Sequence, residues 1–162
     1  MPTLLCLLLF SQTTLFEDRA IYKLKNEVIF ESDLASLVKK YRTFRCLKPN
    51  SALFSGSLKN NFLKELDSPA ILKKSSKAEL LEFLKIEKIV LYAQSQDLGV
   101  DVKKFKSTSK CQEQLAEQDL KAFLSFDVLL ETRFSREGKL LDDSVQSLID
   151  TIDHQYPHEL FL

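Results

Sequence analysis

Glycine and proline are scarce, three and four in 162 residues. An all-β protein with many tight turns needs more of both, so that class is excluded. Three scattered glycines also build no Gly-rich phosphate loop. Cys6, Cys46 and Cys111 are the only cysteines. They form no CxxC pair, which excludes a zinc or dithiol redox motif. Tryptophan is absent and there are only two histidines. No Ser, Cys or Lys nucleophile has a base beside it in sequence. An enzyme is therefore not expected, and no cofactor is implied. The longest unbroken apolar run, Leu4 to Phe10, is far short of the ~20 residues that cross a bilayer, so no stable membrane span is expected.

What is present suffices for a folded domain. Hydrophobic residues make up 44% and charged residues 28%, a balance that favours a packed core over disorder. Twelve phenylalanines supply bulk for that core. Basic and acidic residues number 23 each, but unevenly along the chain. Glu17 to Lys110 holds 19 basic and 12 acidic residues, and Cys111 to Leu162 holds 4 and 11. Either the two parts pack through complementary surfaces, or the basic part attracts an anionic partner. No Arg-rich run or basic-aromatic motif supports the second reading, so complementary packing is expected and nucleic acid is not an expected partner.

Residues 1–16 read as a possible signal segment, because the apolar run sits at the extreme N-terminus and turns polar at once. The fit is imperfect, with no Lys or Arg before the run and no clean small-x-small site after it. The alternative is a buried strand or helix. Residues 17–162 are expected to form a single helical domain.

The stretch Ala20–Leu34 carries the most information. Ile21, Tyr22 and Leu24 are strand formers, and Val28, Ile29 and Phe30 form a second apolar run. Lys25-Asn26-Glu27 is the expected turn, with Asn26 suited to a left-handed conformation. Ser32 or Asp33 then caps a helix from Leu34 to about Cys46. Leu34, Leu37, Val38, Tyr41 and Phe44 form its apolar face. A short helix is expected over Leu58–Leu66. Ser76 and Glu79 form a capping box that opens the longest helix, to about Leu98. Its wide apolar face suits a central position, and Gly99 is a natural stop. Ser109 with Gln112 suggests a further helix toward Arg136, broken near Glu117–Asp119. A last helix runs from Asp142 or Asp143 to about His154, before Pro157 and the tail HELFL.

Two stretches resemble the N-terminal domain of SurA-type periplasmic chaperones, which also precedes many parvulin-type prolyl isomerases. The first is a strand, a polar turn and V-I-x-x-S-D-L opening a helix, carried by Asn26, Val28, Ile29, Ser32, Asp33 and Leu34. The second is LLEFLKIEKIVLYAQSQDLGVDV, Leu80 to Val102, similar to the family's long helix ending in a polar turn, Gly and Val. Together they cover about a quarter of the chain. The resemblance implies a mainly α fold, about five helices with a small N-terminal β-hairpin. It also implies peptide binding in the periplasm. In isomerase relatives a late helix leads into the parvulin domain. No such domain lies within these 162 residues, so isomerase activity is not carried over.

Candidate sites are few. His154 and His158 are four apart, but Pro157 lies between them and no third ligand is defined. They read as solvated tail residues, and no metal site is expected. Once a signal is removed, Cys46 and Cys111 remain. They either pair in an oxidising compartment, tying the first helix to a late one, or stay as buried free thiols. Phe54, in a Gly-containing loop, and Phe105, in a Lys-rich linker, fit no helix face. With Tyr22 on the hairpin they are the candidate peptide-binding residues, and capping the core is their plainer role. The expected function is non-catalytic: binding apolar segments of unfolded or exported polypeptides, in the periplasm or outside the cell. The alternative is an interaction module with one dedicated partner; if the protein is neither periplasmic nor secreted, it is expected in the cytoplasm. A homodimer built by hairpin exchange is compatible with the pattern.

Overall fold

The computed structural model describes residues 17–54, 61–67, 71, 76–133, 135–136, 139–140 and 142–161. The expected signal segment and most of the Gly-containing loop that follows Phe54 lie outside them. The fold is mainly helical, with five helices among the described residues and a small sheet near the N-terminus. In chain order it comprises β1 (Ala20–Leu24), β2 (Glu27–Phe30), α1 (Glu31–Leu47), α2 (Asn61–Lys64), α3 (Lys77–Ser95), α4 (Glu117–Arg133), β3 (Ser135–Arg136), β4 (Lys139–Leu140), α5 (Asp142–Asp153) and β5 (His158–Leu160). Single 3₁₀ turns occupy Ala52–Phe54 and Val102–Lys104.

The hairpin forms as expected, with a tighter corner. Leu24 pairs with Glu27, so Glu27 belongs to β2 and the corner is Lys25-Asn26. The left-handed residue is Lys25, at φ 54°, and not Asn26. Two contacts hold Lys25 there. Its N–H donates to the Pro157 carbonyl at 2.8 Å, and its ammonium sits 4.2 Å from the centre of the Tyr156 ring.

The tail HELFL is no solvated end. Residues His158–Leu160 add to β1 as a third antiparallel strand, in the order β2-β1-β5. The chain's own C-terminal strand thus covers one edge of β1, and β2 remains the open edge. On β1, Ile21 and Lys25 bond toward β5. Alternation then turns Tyr22 and Leu24 toward β2, so the Glu27 and Ile29 backbones face β1 and Val28 faces outward. The Phe30 N–H is taken by the Asp33 carboxylate at 3.0 Å. The open edge is therefore very short.

Helix α1 starts three residues before the expected Leu34. Phe30 occupies the N-cap position, and Asp33 reaches back to its N–H as the N3 acid of a capping box does. Asp18 accepts from the Ser32 N–H at 3.1 Å and from the Ser32 hydroxyl. The polar Ser-Asp pair thus lies inside the first turn. The apolar face is the expected one, with Leu34, Val38, Tyr41 and Phe44 buried and Leu37 partly so.

The Ser76–Glu79 capping box forms in both directions, at 3.3 and 2.6 Å. Helix α3 then runs through the centre of the molecule, with Leu80, Phe83, Leu84, Ile86, Ile89, Val90 and Ala93 all buried. It ends at Ser95, and Gly99 takes its left-handed φ of 67° in the following loop. The second expected capping box, Ser109 with Gln112, does not form. The Ser107 hydroxyl instead donates to the Ser109 carbonyl. Residues 105–116 are irregular, and α4 begins only at Glu117.

Aromatic rings join the helices. Tyr41 meets Phe83 and Phe123 edge-on at 5.3 and 4.8 Å, and Phe44 stacks on Phe123 at 4.7 Å. Phe62 of α2 lies 4.5 Å from Phe83. Such pairs contribute about 0.5–1.5 kcal/mol each beyond the area they bury.

The charge asymmetry becomes a set of ties between the two parts of the chain. Lys39 pairs with Glu113, Lys40 with Asp119, Lys48 with Asp127 and Lys88 with Asp153. Each takes its cation from the basic part and its anion from the acidic part. Asp127 is the most enclosed. It holds Lys48 at 2.5 Å, the Ser51 hydroxyl at 2.6 Å and the Ala52 N–H at 3.0 Å, pinning the turn after α1 onto α4.

Cys46 and Cys111 are joined in a disulfide, with Cα atoms 6.0 Å apart. Cys46 is exposed and Cys111 half-buried, so neither is the buried free thiol of the alternative reading. The bridge ties the end of α1 to the irregular segment before α4.

Candidate functional site

An open groove of about 1130 Å³ lies between the sheet and helices α1, α3 and α4. Its lining is mixed, and the apolar part of it comes from Leu24 and Ile29 of the hairpin, Leu37 of α1, Val90 and Leu91 of α3, and Phe123 of α4. These positions follow from period. Leu24 and Ile29 point inward on the pleat, and Leu37 lies one turn from the buried stripe of α1. Lys25, Asn26, Glu27, Val28 and Tyr156 also line it.

The polar residues of the groove are concentrated. Glu87 comes from the middle of α3 and is only 8% exposed. The Tyr41 hydroxyl donates to its carboxylate in a short hydrogen bond. Burial pushes the Glu87 carboxyl up to about 7, against the opposing pull of the Tyr41 bond and the Lys40 charge. Tyr41 is itself held well above the ordinary phenol range, first by burial and then by Glu87. It therefore remains a donor at any ordinary pH. Lys40 reaches across to Asp119 at 3.1 Å, joining α1 to α4 over this spot.

Tyr22 also borders the groove. It is 1% exposed, and burial together with the Glu87 and Asp33 charges raises its phenol. Among the described residues its hydroxyl has no hydrogen-bond partner. No buried side-chain oxygen among them lacks one, so the hydroxyl is the part of Tyr22 that reaches solvent.

Of the three candidate peptide-binding residues, Tyr22 alone lines this groove. Phe54 and Phe105 lie partly buried against the core elsewhere, with Phe54 tilted 6.1 Å from Phe44. Both do what a core cap does. Sequence reasoning missed Glu87. Its signal was a Glu-Lys pair inside the otherwise apolar run Ile86–Ala93, where the enclosed middle of the helix leaves no exposed face for charge. The partner in that pair, Lys88, is 2% exposed. It donates to Asp153 at 2.5 Å and contacts His158 Nδ1 at 2.9 Å. An ammonium only donates, so His158 accepts there as a neutral ring. Burial and the Lys88 charge lower its basicity accordingly. His154 is exposed. Among the described residues no three His, Cys, Asp or Glu side chains gather as a metal site, and no helix is long and apolar enough to cross a membrane.

Against family models, curated proteins and solved structures, the chain matches none.

Proposed function

We propose that this protein binds extended apolar segments of unfolded or exported polypeptides in its groove, as a non-catalytic periplasmic chaperone resembling the SurA type. The observation that carries the reading is the groove itself, open and lined in part by apolar side chains of the hairpin and three helices. Small-molecule sites are more enclosed and reach roughly 1,000 Å³ at the upper end. At about 1130 Å³, this groove has room for a stretch of side chains. Affinity comes from burial of apolar side chains against Leu37, Val90, Leu91 and Phe123. The exposed edge of β2 is too short to pair with more than a residue or two, so strand addition is a minor supplement. Binding without a continuous hydrogen-bond ladder is weak and tolerant of sequence, as a chaperone requires. The Cys46–Cys111 disulfide supports an oxidising compartment.

The test is aggregation of two or three unrelated, chemically unfolded clients with stoichiometric oxidised protein. Suppression across all of them is expected, and Leu91→Asp, which puts a charge into the groove wall, is expected to weaken it. A folded protein that suppresses none overturns general chaperoning.

One observation favours the second reading, a single dedicated partner. Among the described residues the exposed large apolar side chains are Val28 and Phe30 on β2 and Phe161 just after β5, at the two margins of the same sheet. A group of this kind marks an interaction face more often than an ordinary surface. One tight complex recovered with this protein, dissociated by Phe30→Lys and not by Leu91→Asp, would support that reading.

A further inference from the structure

The sheet has a second edge, which the chain covers itself. Strand β5 lies along β1, with Leu160 opposite Tyr22, Glu159 opposite Lys23 and His158 opposite Leu24. Two backbone bonds flank this ladder, from the Lys25 N–H to the Pro157 carbonyl at 2.8 Å and from the Phe161 N–H to the Ile21 carbonyl at 3.0 Å. The clamp on it is the buried Lys88 of α3, which donates to Asp153 Oδ1 at 2.5 Å and to His158 Nδ1 at 2.9 Å. The second of these bonds exists only while Nδ1 carries no proton, because an ammonium has no acceptor to offer. A proton there replaces a hydrogen bond by two cations 2.9 Å apart. Lys88 keeps Asp153 when His158 leaves, so its buried charge retains a partner. Tyr156, where this C-terminal segment begins, lines the groove together with Tyr22, Leu24 and Lys25 of the hairpin. The covered edge and the groove are therefore continuous.

We propose that β5 is an acid-released strap: when His158 gains a proton it leaves Lys88, residues 156–161 come off β1, and an extended apolar segment of a client pairs with the β1 edge in their place. This inference rests on the peptide-binding reading and adds its regulation by pH. The strap itself shows what the edge accepts, an antiparallel strand with an apolar side chain opposite Tyr22, and its Leu160 packs against the core. A client strand seated there continues into the groove, so its backbone gains a ladder while its side chains are buried. The charged groups facing His158 are Lys88 from α3 and Asp153 from α5, with His154 next to Asp153 on α5. From β1, the apolar Leu24 stands opposite. Asp153 favours the protonated ring, but burial and the Lys88 charge outweigh it. The open form therefore takes the proton more readily than the closed one, and acid favours opening.

The experiment uses the full chain, oxidised, and a fluorescent nine-residue peptide of leucine, valine and glutamine with blocked ends, which does not titrate. For an open-form imidazole at the ordinary 6.5 and a closed form that takes no proton, going from pH 7 to pH 5 favours opening about 25-fold. Affinity is expected to rise by up to that factor while the open form is the minor one. His158→Gln offers Lys88 a carbonyl oxygen and does not titrate, so its affinity is expected to lack this rise. Glu87 titrates alike in parent and variant, and the comparison removes its contribution. His154→Gln is expected to keep the rise. The same peptide N-methylated at alternate residues cannot form a ladder and is expected to lose it. No rise in the parent, or an equal rise in His158→Gln, overturns the inference while leaving groove binding intact. A dimer at pH 5 without tighter peptide binding means that a second copy takes the edge, and overturns the client as its occupant. If no peptide binds at either pH to protein with a native helical spectrum, the groove reading fails and the inference with it.

Discussion

Glu87 makes stability depend on pH in a direction opposite to most carboxylates. Burial raises its carboxyl from 4.5 to about 7 in the folded chain. The folded protein therefore holds this proton more tightly than the unfolded chain does. Where the unfolded state binds fewer protons, stability falls as pH rises. The stabilisation is fully present below about pH 4.5 and is lost as pH climbs to about 7. At roughly 1.4 kcal/mol per pH unit, the loss is about 3 kcal/mol. Glu87→Gln keeps the shape and an oxygen for the Tyr41 hydroxyl, and removes the charge. Urea denaturation of both proteins at pH 5 and pH 8 isolates the effect, because every other titrating group is common to the pair. The two should be nearly equal at pH 5, and the variant more stable by about 3 kcal/mol at pH 8. A variant destabilised equally at both pH values would refute the reasoning. It would mean that Glu87 is ionised throughout and held by compensating charges, with Lys40 outweighing burial.

Replacing Cys46 and Cys111 by serine should cost about 4 kcal/mol, the chain entropy of closing a 65-residue separation; equal melting of oxidised and reduced protein would contradict this. Asp127→Ala strips partners from Lys48, Ser51 and Ala52 together and should destabilise by about 3–5 kcal/mol. Asp127→Asn, which keeps an acceptor oxygen, should cost less in the same denaturation series. Lys88→Met keeps the volume and removes the anchor of β5. Hydrogen exchange at the Lys25 and Phe161 amides, which bond across to Pro157 and Ile21, should then rise about tenfold or more, with α4 unaffected. Acidification should loosen the same strand. The folded basicity of His158 lies below its ordinary 6.5, so the unfolded chain takes the proton more readily and stability is lost as pH falls below that value. Unchanged protection at those two amides, relative to the intrinsic exchange rate at each pH, from pH 7 to pH 5 would refute the link.

Several elements were legible from local pattern. The Ser76–Glu79 box, the stripe of α1 and the alternation around the hairpin each depend on bonds or spacings within a few residues, and each formed. The scarcity of glycine and proline led correctly to a mainly helical fold. Other features misled for identifiable reasons. Asn26 is the better left-handed former, but Lys25 takes that conformation because Pro157 and Tyr156 hold it. Ser109 and Gln112 match a helix start, but the segment around them remains irregular, tied to α1 by the disulfide. The strand His158–Leu160 has too little pattern of its own and exists only because β1 offers a free edge. Phe54 and Phe105 stood out in sequence because they fit no helix face, but the groove opens at Tyr22.

The amino-acid sequence by itself determined the periods, the caps and the separation of positive from negative charge along the chain. Those are short-range properties, set by backbone geometry and by neighbours three or four residues apart. Only the tertiary structure decided which charges lie inside. Glu87 is buried because the middle of α3, residues 86–90, is enclosed all round, and it is satisfied by Tyr41, 46 residues away. Lys88, next to it, is buried in another direction and satisfied by Asp153, 65 residues away. A helix pattern can show that two such residues lack an exposed face; the partners that let a charge stay there are fixed only when distant segments pack.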